Sequence, residues 1–333
     1  MISDATVLRE GFVPQDVVHR DQELGVLARC LEPIEDGDPG DHALVYGPPG
    51  SGKTCIARYA LTELEREVVD VHTHYINCWD ATRFTVLYEL LDGIGRAIDV
   101  HRRSTPSDEL RARLRTAIDA PYTVVLDEID QLAEPSVLYE ILELPKVVAI
   151  GITDREDSLL SRLEPRVRSR LQTATALPFE RYGTVELCSI LSDRIEWGLE
   201  PHSINETTVE RIAESAAGDA RVAIATLRNA ARSADAAGRD HIPEDCVNDA
   251  ASSAAVELRD RRLEQLTHHQ HVLFDIVEDA GEIRPGELYE RYRGTVENPK
   301  TERTLRHYLD KLDRYGLIRK TGANRGRRYR STG

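Results

Sequence analysis

The chain has 333 residues, a formal net charge of −15 at pH 7 and five cysteines, none of them in a C-x-x-C pair. This composition predicts two or three domains in a reducing compartment and argues against both a disulfide framework and a structural zinc site. No apolar run reaches the length of a membrane span, and the first residues lack the basic start and apolar core of a signal peptide. We therefore expect a cytoplasmic protein with no membrane partner.

The charge is distributed unevenly along the chain. Residues 300–333 contain eleven basic and three acidic residues, a net charge of +8, which leaves −23 for residues 1–299. Because the location of charge decides which partners are attracted, the basic end is compatible with nucleic-acid binding. Only five lysines accompany 58 acidic residues, which favours adaptation to a salt-rich cytoplasm. A GC-rich genome would explain the few lysines but not the many carboxylates.

The first predicted strand leads into a glycine-rich loop. An extended segment over residues 8–24 comes first, and the apolar run Ala43–Tyr46 is followed by GPPGSGKT, residues 47–54, and by a helix-like stretch. This is the pattern of a P-loop, in which backbone N–H groups face the phosphates, Lys53 reaches the terminal phosphates and Thr54 offers its hydroxyl to Mg²⁺. The alternative, an ordinary turn, is disfavoured by the strand before the loop and the helix after it.

Acidic residues end a later predicted strand, TVVLDEID at residues 123–130. Asp127 is expected to bind Mg²⁺ through water, and Glu128 to orient or deprotonate the attacking water. An exposed acidic strand end is the alternative. Together with predicted strands at residues 72–78 and 146–153, the alternation of strands and helices predicts an α/β fold with a mostly parallel sheet.

The rest of the chain is predicted to be mainly helical. From Phe179 to about Ala255 the pattern is entirely helical, with breaks near Gly218 and Gly238, which indicates a second, smaller domain. Beyond about Arg262, three helices and a hairpin describe a winged helix whose third helix would enter the major groove of DNA while the wing contacts phosphates or the minor groove. A protein-docking winged helix and a merely solvated basic face are the alternatives. The residues expected to contact DNA are Lys300, Arg303, Arg306, Lys311, Arg325, Arg327 and Arg328.

Over nearly its whole length the chain resembles archaeal DNA replication initiators of the origin-recognition and cell-division-cycle (ORC/Cdc) type. The motifs that carry the resemblance are, in order, FVPQDVVHRDQEL, GPPGSGKT, VVLDEID, LEPRVRSRL, PFERY and GDARVAIATLRNA. Several of these motifs occur in other AAA+ ATPases, but the first segment, the GDAR helix and the terminal winged helix are together specific. The resemblance implies an AAA+ base domain at residues 1–178, a helical lid at 179–258 and a winged helix at 259–333, with ATP or ADP between base and lid.

The resemblance also implies roles for individual residues. Arg221 of GDAR would be the second sensor, a cation on the terminal phosphate. Arg170 would be the arginine finger offered to a neighbouring subunit's ATP, with Arg166 as the less favoured candidate. Val18, His19 and Arg20 would lie near adenine, with Tyr182 and Arg194 above the nucleotide. The full set expected to bind nucleotide is Val18, His19, Arg20, Gly50, Ser51, Gly52, Lys53, Thr54, Cys55, Tyr182, Arg194 and Arg221.

One feature departs from the family pattern, and a second allows two interpretations. The first sensor is usually a neutral Asn, whereas GITDRED places Thr153 and Asp154 there, in a loop one residue longer. A carboxylate near the terminal phosphate is repelled unless it is protonated or linked to Mg²⁺, so we expect slow hydrolysis, with Thr153 acting instead. The predicted helix Thr82–Ile98 matches an extra DNA-gripping helix of initiators, but it carries only Arg83 and Arg96 as cations. DNA gripping and plain amphipathic packing are equally favoured.

These inferences together predict an ATP-dependent replication initiator that is cytoplasmic and nucleoid-associated. It would bind double-stranded origin DNA, act as a slow Mg²⁺-dependent ATPase, self-associate on DNA and help load a replicative helicase of the MCM type. The alternative is an AAA+ regulator, switched by ATP, that binds promoters or protein partners. A clamp-loader-like subunit is disfavoured by the terminal winged helix.

Overall fold

The structure is a computed structural model that describes residues 1–14, 17–102, 104–322 and 326–332. The chain groups into two compact units, Met1–Ala251 and Ser252–Gly333. Across the described ranges, no helix is both long enough and apolar enough to cross a membrane.

A five-stranded sheet forms the centre of the first unit. Its strands are β1 (Ala43–Tyr46), β2 (His72–Asn77), β3 (Tyr122–Asp127), β4 (Val147–Thr153) and β5 (Thr175–Pro178). They are ordered β2-β3-β4-β1-β5, and every neighbouring pair is parallel, which confirms the predicted parallel sheet. Because parallel strands end at the same edge of a sheet, the loops after β1, β3 and β4 lie next to one another there.

Helices connect these strands and continue after the last of them. In chain order they are α1 (Asp21–Leu31), α2 (Lys53–Glu67), α3 (Arg83–Gly93), α4 (Ser107–Ala117), α5 (Val137–Leu142), α6 (Glu156–Arg162), α7 (Pro165–Leu171), α8 (Thr184–Gly198), α9 (Glu206–Ser215), α10 (Ala220–Ala236) and α11 (Val247–Glu264). The run from α8 onward agrees with the helical pattern predicted after Phe179. Helix α11 contains the boundary between the two units.

Successive side chains of the sheet enter two different apolar clusters. Leu126 of β3 packs in one cluster with Leu87 and Leu90 of α3, whereas its neighbour Val125 packs in the other with Ile56 of α2. All of these side chains are at most 1% exposed. A strand turns successive side chains to opposite faces, so both faces of the sheet are covered by helices.

A third apolar cluster joins α8, α9 and α10. It contains Leu187, Leu191, Ile212 and Leu227, and it also contains Leu8, which lies far away in sequence and is fully buried. The segment before α1 therefore packs with the helices that follow β5. The sequence pattern predicted only an extended conformation for this segment.

Short elements account for most of the differences from the predicted pattern. β5, α5, α6 and α7 were not predicted, because they are short and, unlike β1 and β3, have no glycine-rich or acidic motif beside them that marks their position. Helix α3 ends at Gly93 and not at Ile98, since Gly95 adopts a left-handed φ of 67° that a continuing helix does not allow.

The second unit, which also includes the end of α11, consists of small helices and a three-stranded sheet. Its elements are α12 (His268–Ala280), β6 (Glu282–Ile283), α13 (Pro285–Thr295), α14 (Glu302–Arg314), β7 (Ile318–Thr321) and β8 (Arg328–Ser331). The sheet is antiparallel in the order β6-β8-β7, around a fully buried core that includes Leu273, Leu288, Tyr292, Leu305 and Tyr329. The three helices and the hairpin match the predicted elements, while the two-residue β6 was not predicted.

Candidate functional site

The glycine-rich loop lies where β1 ends and α2 begins, beside the ends of β3 and β4. Gly50 and Gly52 have left-handed φ angles of 75° and 93°. A Cβ atom at Gly50 would lie 1.9 Å from Asp219 Oδ1, and one at Gly52 would lie 2.3 Å from the Tyr182 hydroxyl. The conformation and the close contacts both require glycine at these positions. The hydroxyl of Ser51 is buried with no hydrogen-bond partner in the described part of the chain, as expected for a loop that receives a polar ligand.

Lys53, at the start of α2, is held entirely by neighbouring oxygen atoms. Its Nζ donates to the carbonyl oxygens of Gly47 at 2.6 Å and Pro48 at 3.0 Å, and to Asp154 Oδ1 at 3.1 Å. The side chain is buried, and burial lowers the pKa of Lys53 while Asp154 opposes that shift. An ammonium group has three hydrogens to donate, so these three acceptors match its capacity.

The two residues predicted to hold Mg²⁺, Thr54 and Asp127, are in direct contact. Thr54 Oγ1 donates to Asp127 Oδ2 at 2.7 Å, and the Tyr75 hydroxyl donates to the same oxygen at 2.9 Å. Burial raises the pKa of Tyr75, so this phenol stays protonated and acts as a donor. Hard oxygen ligands of this kind suit Mg²⁺, so the residues fit the predicted metal. Tyr75 was not predicted, because a tyrosine inside a strand carries no motif signal.

Residues at the ends of β3 and β4 make different contacts within the site. Glu128 has a left-handed φ of 56°, a conformation that a non-glycine residue adopts infrequently, and its backbone N–H donates to Asp127 Oδ1 at 2.9 Å. Thr153 is buried, and its hydroxyl donates to Asp130 Oδ1 at 3.1 Å. Of the two candidate first-sensor residues, it is therefore Asp154 and not Thr153 that contacts Lys53.

The start of α10 lies directly on the glycine-rich loop. The backbone N–H of Ala220 donates to the Gly50 carbonyl at 3.0 Å, and Asp219 caps the helix by accepting from the backbone N–H of Arg221 at 2.9 Å. The Arg221 guanidinium donates to both Asp219 oxygens, at 3.3 and 3.0 Å, and lies 4.0 Å from Glu10. Burial lowers the pKa of Arg221, but Asp219 outweighs it and the net shift is upward. The predicted second sensor is thus beside the loop.

Arg20 joins the segment before α1 to the polypeptide that enters α8. Its guanidinium lies 4.2 Å from the ring centroid of Tyr182 and donates to the Glu180 carbonyl at 2.7 Å and to Glu23 at 2.5 Å. The neighbouring Val18 and His19 are exposed, as the predicted adenine contacts would need to be. Cys55 is half-buried, and burial raises the pKa of its thiol.

Arg194 has a different environment from the one predicted. It is 4% exposed within α8, and its guanidinium donates to the carbonyl oxygens of Val7 at 2.7 Å and Phe12 at 3.0 Å. It also lies 4.6 Å from the centroid of the Phe12 ring. These contacts fasten the N-terminal segment to the helices after β5, and the nucleotide contact of Arg194 stays a prediction.

The two candidate arginine fingers lie on α7 and remain partly accessible. Arg170 is 42% exposed at its side chain, pairs with Glu143 at 3.3 Å and donates to the Leu142 carbonyl at 3.2 Å. Arg166 is 65% exposed and pairs with Glu164 at 3.3 Å. Surface pairs of this kind are weak and exchange readily for another anion.

The predicted DNA contacts of the second unit differ in accessibility. Lys300, Arg303 and Arg306 are exposed. Arg328 is also exposed and pairs with Glu282 at 2.5 Å. These four cations are accessible at the surface, and Arg306 also pairs with Glu302 at 3.4 Å.

The other three residues predicted to contact DNA are less accessible or lie outside the described ranges. The prediction for Lys311 was wrong: this residue is only 3% exposed, on a helix against which both α12 and β7 pack, although the helical pattern placed it outside the core. Arg327 is only half-exposed. Arg325 lies outside the described residues.

Helix α3, the candidate DNA-gripping element, packs into the first unit. Leu87, Leu90 and Leu91 are fully buried. Arg83 forms two hydrogen bonds with the carboxylate of Glu140, at 2.8 and 3.0 Å, and a further one with Asp108. A guanidinium held by two carboxylates is a poor phosphate contact, so these contacts favour the packing alternative.

Comparison with known proteins adds a family context to this geometry. The AAA ATPase domain family matches residues 16–178, and the Cdc6 AAA+ ATPase-type lid domain family matches residues 188–252. ORC1-type DNA replication protein 9 of the halophilic archaeon Halobacterium salinarum is 43% identical over 99% of this chain and 93% of its own length. ORC1-type DNA replication protein 1 of the same organism is 44% identical over 92% of this chain and 100% of its own length.

A solved structure is similar across both units. The structure of the Aeropyrum pernix ORC1 protein in complex with DNA has a TM-score of 0.81 and 28% sequence identity, and the match covers 99% of this chain and 92% of that one.

The contacts of Arg194 lead to a prediction about stability. Arg194→Ala removes the donor to two carbonyl oxygens and the cation over Phe12, so we expect it to lower the free energy of unfolding by about 2–4 kcal/mol. Chemical denaturation followed by circular dichroism measures this change. Arg211→Ala, at an exposed arginine of α9 that forms a surface ion pair with Glu244, is the matched control and should leave stability unchanged. Equal stability of the two variants would contradict the fastening role.

Proposed function

The chain belongs to the ORC1-type DNA replication proteins, with an AAA+ ATPase domain and a Cdc6-type lid, and from this premise we propose that it is a replication initiator switched by ATP and ADP. The initiator binds double-stranded origin DNA and helps recruit or load an MCM-type helicase. The observation that carries the proposal is the meeting of Lys53, the Thr54–Asp127 pair and Arg221 around one glycine-rich loop. We retain the division into a base at residues 1–178, a lid at 179–258 and a winged helix at 259–333.

The first unit supplies the nucleotide switch. Thr54 and Asp127 would hold the metal of a bound MgATP, which supplies the phosphoryl group for transfer to water. Lys53 and the backbone of the loop would hold the phosphates, and Glu128, just beyond β3, would orient the attacking water. Asp154 beside Lys53 supports slow turnover, since a carboxylate there repels the charge of the terminal phosphate.

Contacts between the loop and α10 allow the nucleotide to act on the lid. Gly50 bonds Ala220 directly, and Asp219 both caps α10 and holds Arg221. A terminal phosphate that reaches Arg221 therefore competes with Asp219 for its guanidinium, and Asp219 is the residue that caps the helix. Arg170, partly exposed on α7, is available to the nucleotide of a second copy, which supports self-association on DNA.

The second unit is the proposed winged-helix DNA-binding domain. Its three helices and the antiparallel sheet β6-β8-β7 have the element order of that fold, and exposed Arg303 and Arg306 lie on α14, its third helix. Exposed Arg328 begins β8 in the hairpin that forms the wing. The similar Aeropyrum pernix ORC1 protein was solved in complex with DNA, which supports the same partner here.

One observation favours a second candidate, an AAA+ regulator whose winged helix binds promoters. Arg83 is held by Glu140 and Asp108, so α3 offers little positive charge for a second DNA contact by the base. A regulator needs only the winged helix for DNA binding, whereas an initiator is expected to add a contact from the base.

Hydrolysis provides a first test. Glu128→Gln should retain ATP binding and lower the rate of phosphate release by about 100-fold or more, because a positioned general base contributes roughly that factor. Lys53→Ala is the comparison variant and should lose binding of both ATP and ADP, since it removes the cation of the loop. Phosphate release and binding of a fluorescent nucleotide measure the two effects. Hydrolysis at the parent rate by Glu128→Gln would rule out the role of Glu128.

DNA binding provides a second test. The triple variant Arg303→Ala, Arg306→Ala, Arg328→Ala should bind duplex DNA more weakly, and the slope of its salt dependence should fall by about one for each phosphate-binding arginine that is removed. Fluorescence anisotropy titrations at several salt concentrations measure both quantities. The control removes the same charge from the first unit through exposed or half-buried Arg66, Arg113 and Arg211. If both triple variants bind alike, the assignment of these arginines is wrong.

Genome-wide DNA occupancy separates the two candidate functions. An initiator should concentrate at a few repeated elements near replication start sites, because specific binding there exceeds binding elsewhere by several orders of magnitude. A regulator should instead occupy many promoters. Chromatin immunoprecipitation from the native organism measures the distribution, and occupancy spread over promoters would replace the initiator with the regulator.

A further inference from the structure

The P-loop lysine has a carboxylate partner within the protein itself. Asp154 Oδ1 lies 3.1 Å from Lys53 Nζ, and its side chain is 28% exposed, so the carboxylate faces an accessible space. The other two acceptors of Lys53 are the neutral carbonyl oxygens of Gly47 and Pro48. A ligand that binds Lys53 must therefore replace a neutral acceptor or the negatively charged one.

The backbone on the N-terminal side of Asp154 is anchored. Asp154 directly follows β4, whose last residue, Thr153, is buried and donates its hydroxyl to Asp130. Tyr46 of β1 pairs in register with Thr153. The backbone therefore places Asp154 beside Lys53, and the hydrogen bond from Lys53 Nζ holds its carboxylate there.

Other carboxylates near the glycine-rich loop also reduce the positive charge available to a phosphate. The second cation, Arg221, is held by both oxygens of Asp219 and lies 4.0 Å from Glu10. Three carboxylates therefore accompany the two cations that face a terminal phosphate. Such a site holds less net positive charge for a third phosphate than the cations alone would provide.

We propose that Asp154 is a specificity-determining residue that favours ADP over ATP at this site, an inference that rests on the proposed nucleotide switch. The β-phosphate can take the donors that Lys53 gives to Gly47 and Pro48 while Asp154 keeps its own. The γ-phosphate adds negative charge beside Lys53 and must displace Asp154 or lie against it. The ATP-bound state therefore forms at a higher ATP concentration than Lys53 alone would require.

The test compares the dissociation constants of ADP and ATP for the full chain. Asp154→Asn keeps the shape and removes the charge, so we expect ATP affinity to rise about tenfold relative to ADP affinity, the factor that corresponds to removal of one moderate charge repulsion. Isothermal titration calorimetry with each nucleotide, with Mg²⁺ and with a chelator, gives the four constants. Asp154→Glu keeps the charge and should keep the preference of the parent chain.

Asp157→Asn is the matched control, because it removes the same charge from an exposed position on α6 and should leave the ratio of the two constants unchanged. An unchanged ratio in Asp154→Asn would overturn the inference. So would a loss of ATP affinity that occurs only with Mg²⁺, since that result would assign Asp154 to the metal. A parent chain that binds neither nucleotide would overturn the proposed switch itself and this inference with it.

Discussion

The close contact between the glycine-rich loop and the start of α10 is the constraint on which the rest of the site depends. Gly50 approaches Asp219 so closely that no side chain fits, and its carbonyl accepts a hydrogen bond from Ala220. The same Asp219 caps α10 and orients the guanidinium of Arg221. One carboxylate thus links the loop, the helix and the second cation, which gives the loop a direct mechanical connection to the lid.

Both cations of the site are paired with carboxylates of the protein itself. Lys53 pairs with Asp154, and Arg221 pairs with Asp219. These pairs matter because an unpaired charge in a partly buried region is energetically unfavourable. Ion pairs that are partly buried are screened less by salt than exposed ones such as Arg328 with Glu282. At high salt concentration the internal pairs would therefore keep more of their strength than the surface pairs. The nucleotide site and the proposed DNA surface therefore differ in how salt affects them.

For two arginines, tertiary contacts determine which groups the side chain binds, and the motif alone did not reveal them. Arg194 belongs to a helix that the resemblance placed above the nucleotide, but its donors bind Val7 and Phe12 of the N-terminal segment. Arg83 begins the helix that could grip DNA, but it is held by Glu140. In both cases the residue is present where the pattern expects it, and a partner distant in sequence decides what it contacts.

The sequence by itself determined the alternation of strands and helices, the glycine-rich loop, the acidic end of β3 and the family, because these depend on local spacing and residue type. It also located the three helices and the hairpin of the second unit, whose helices have clear apolar faces. It could not reveal that Lys311 is buried, that Tyr75 donates to Asp127 or that Leu8 belongs to the cluster of α8 to α10. Only the tertiary structure decided these points, because each depends on a contact between segments far apart in the chain.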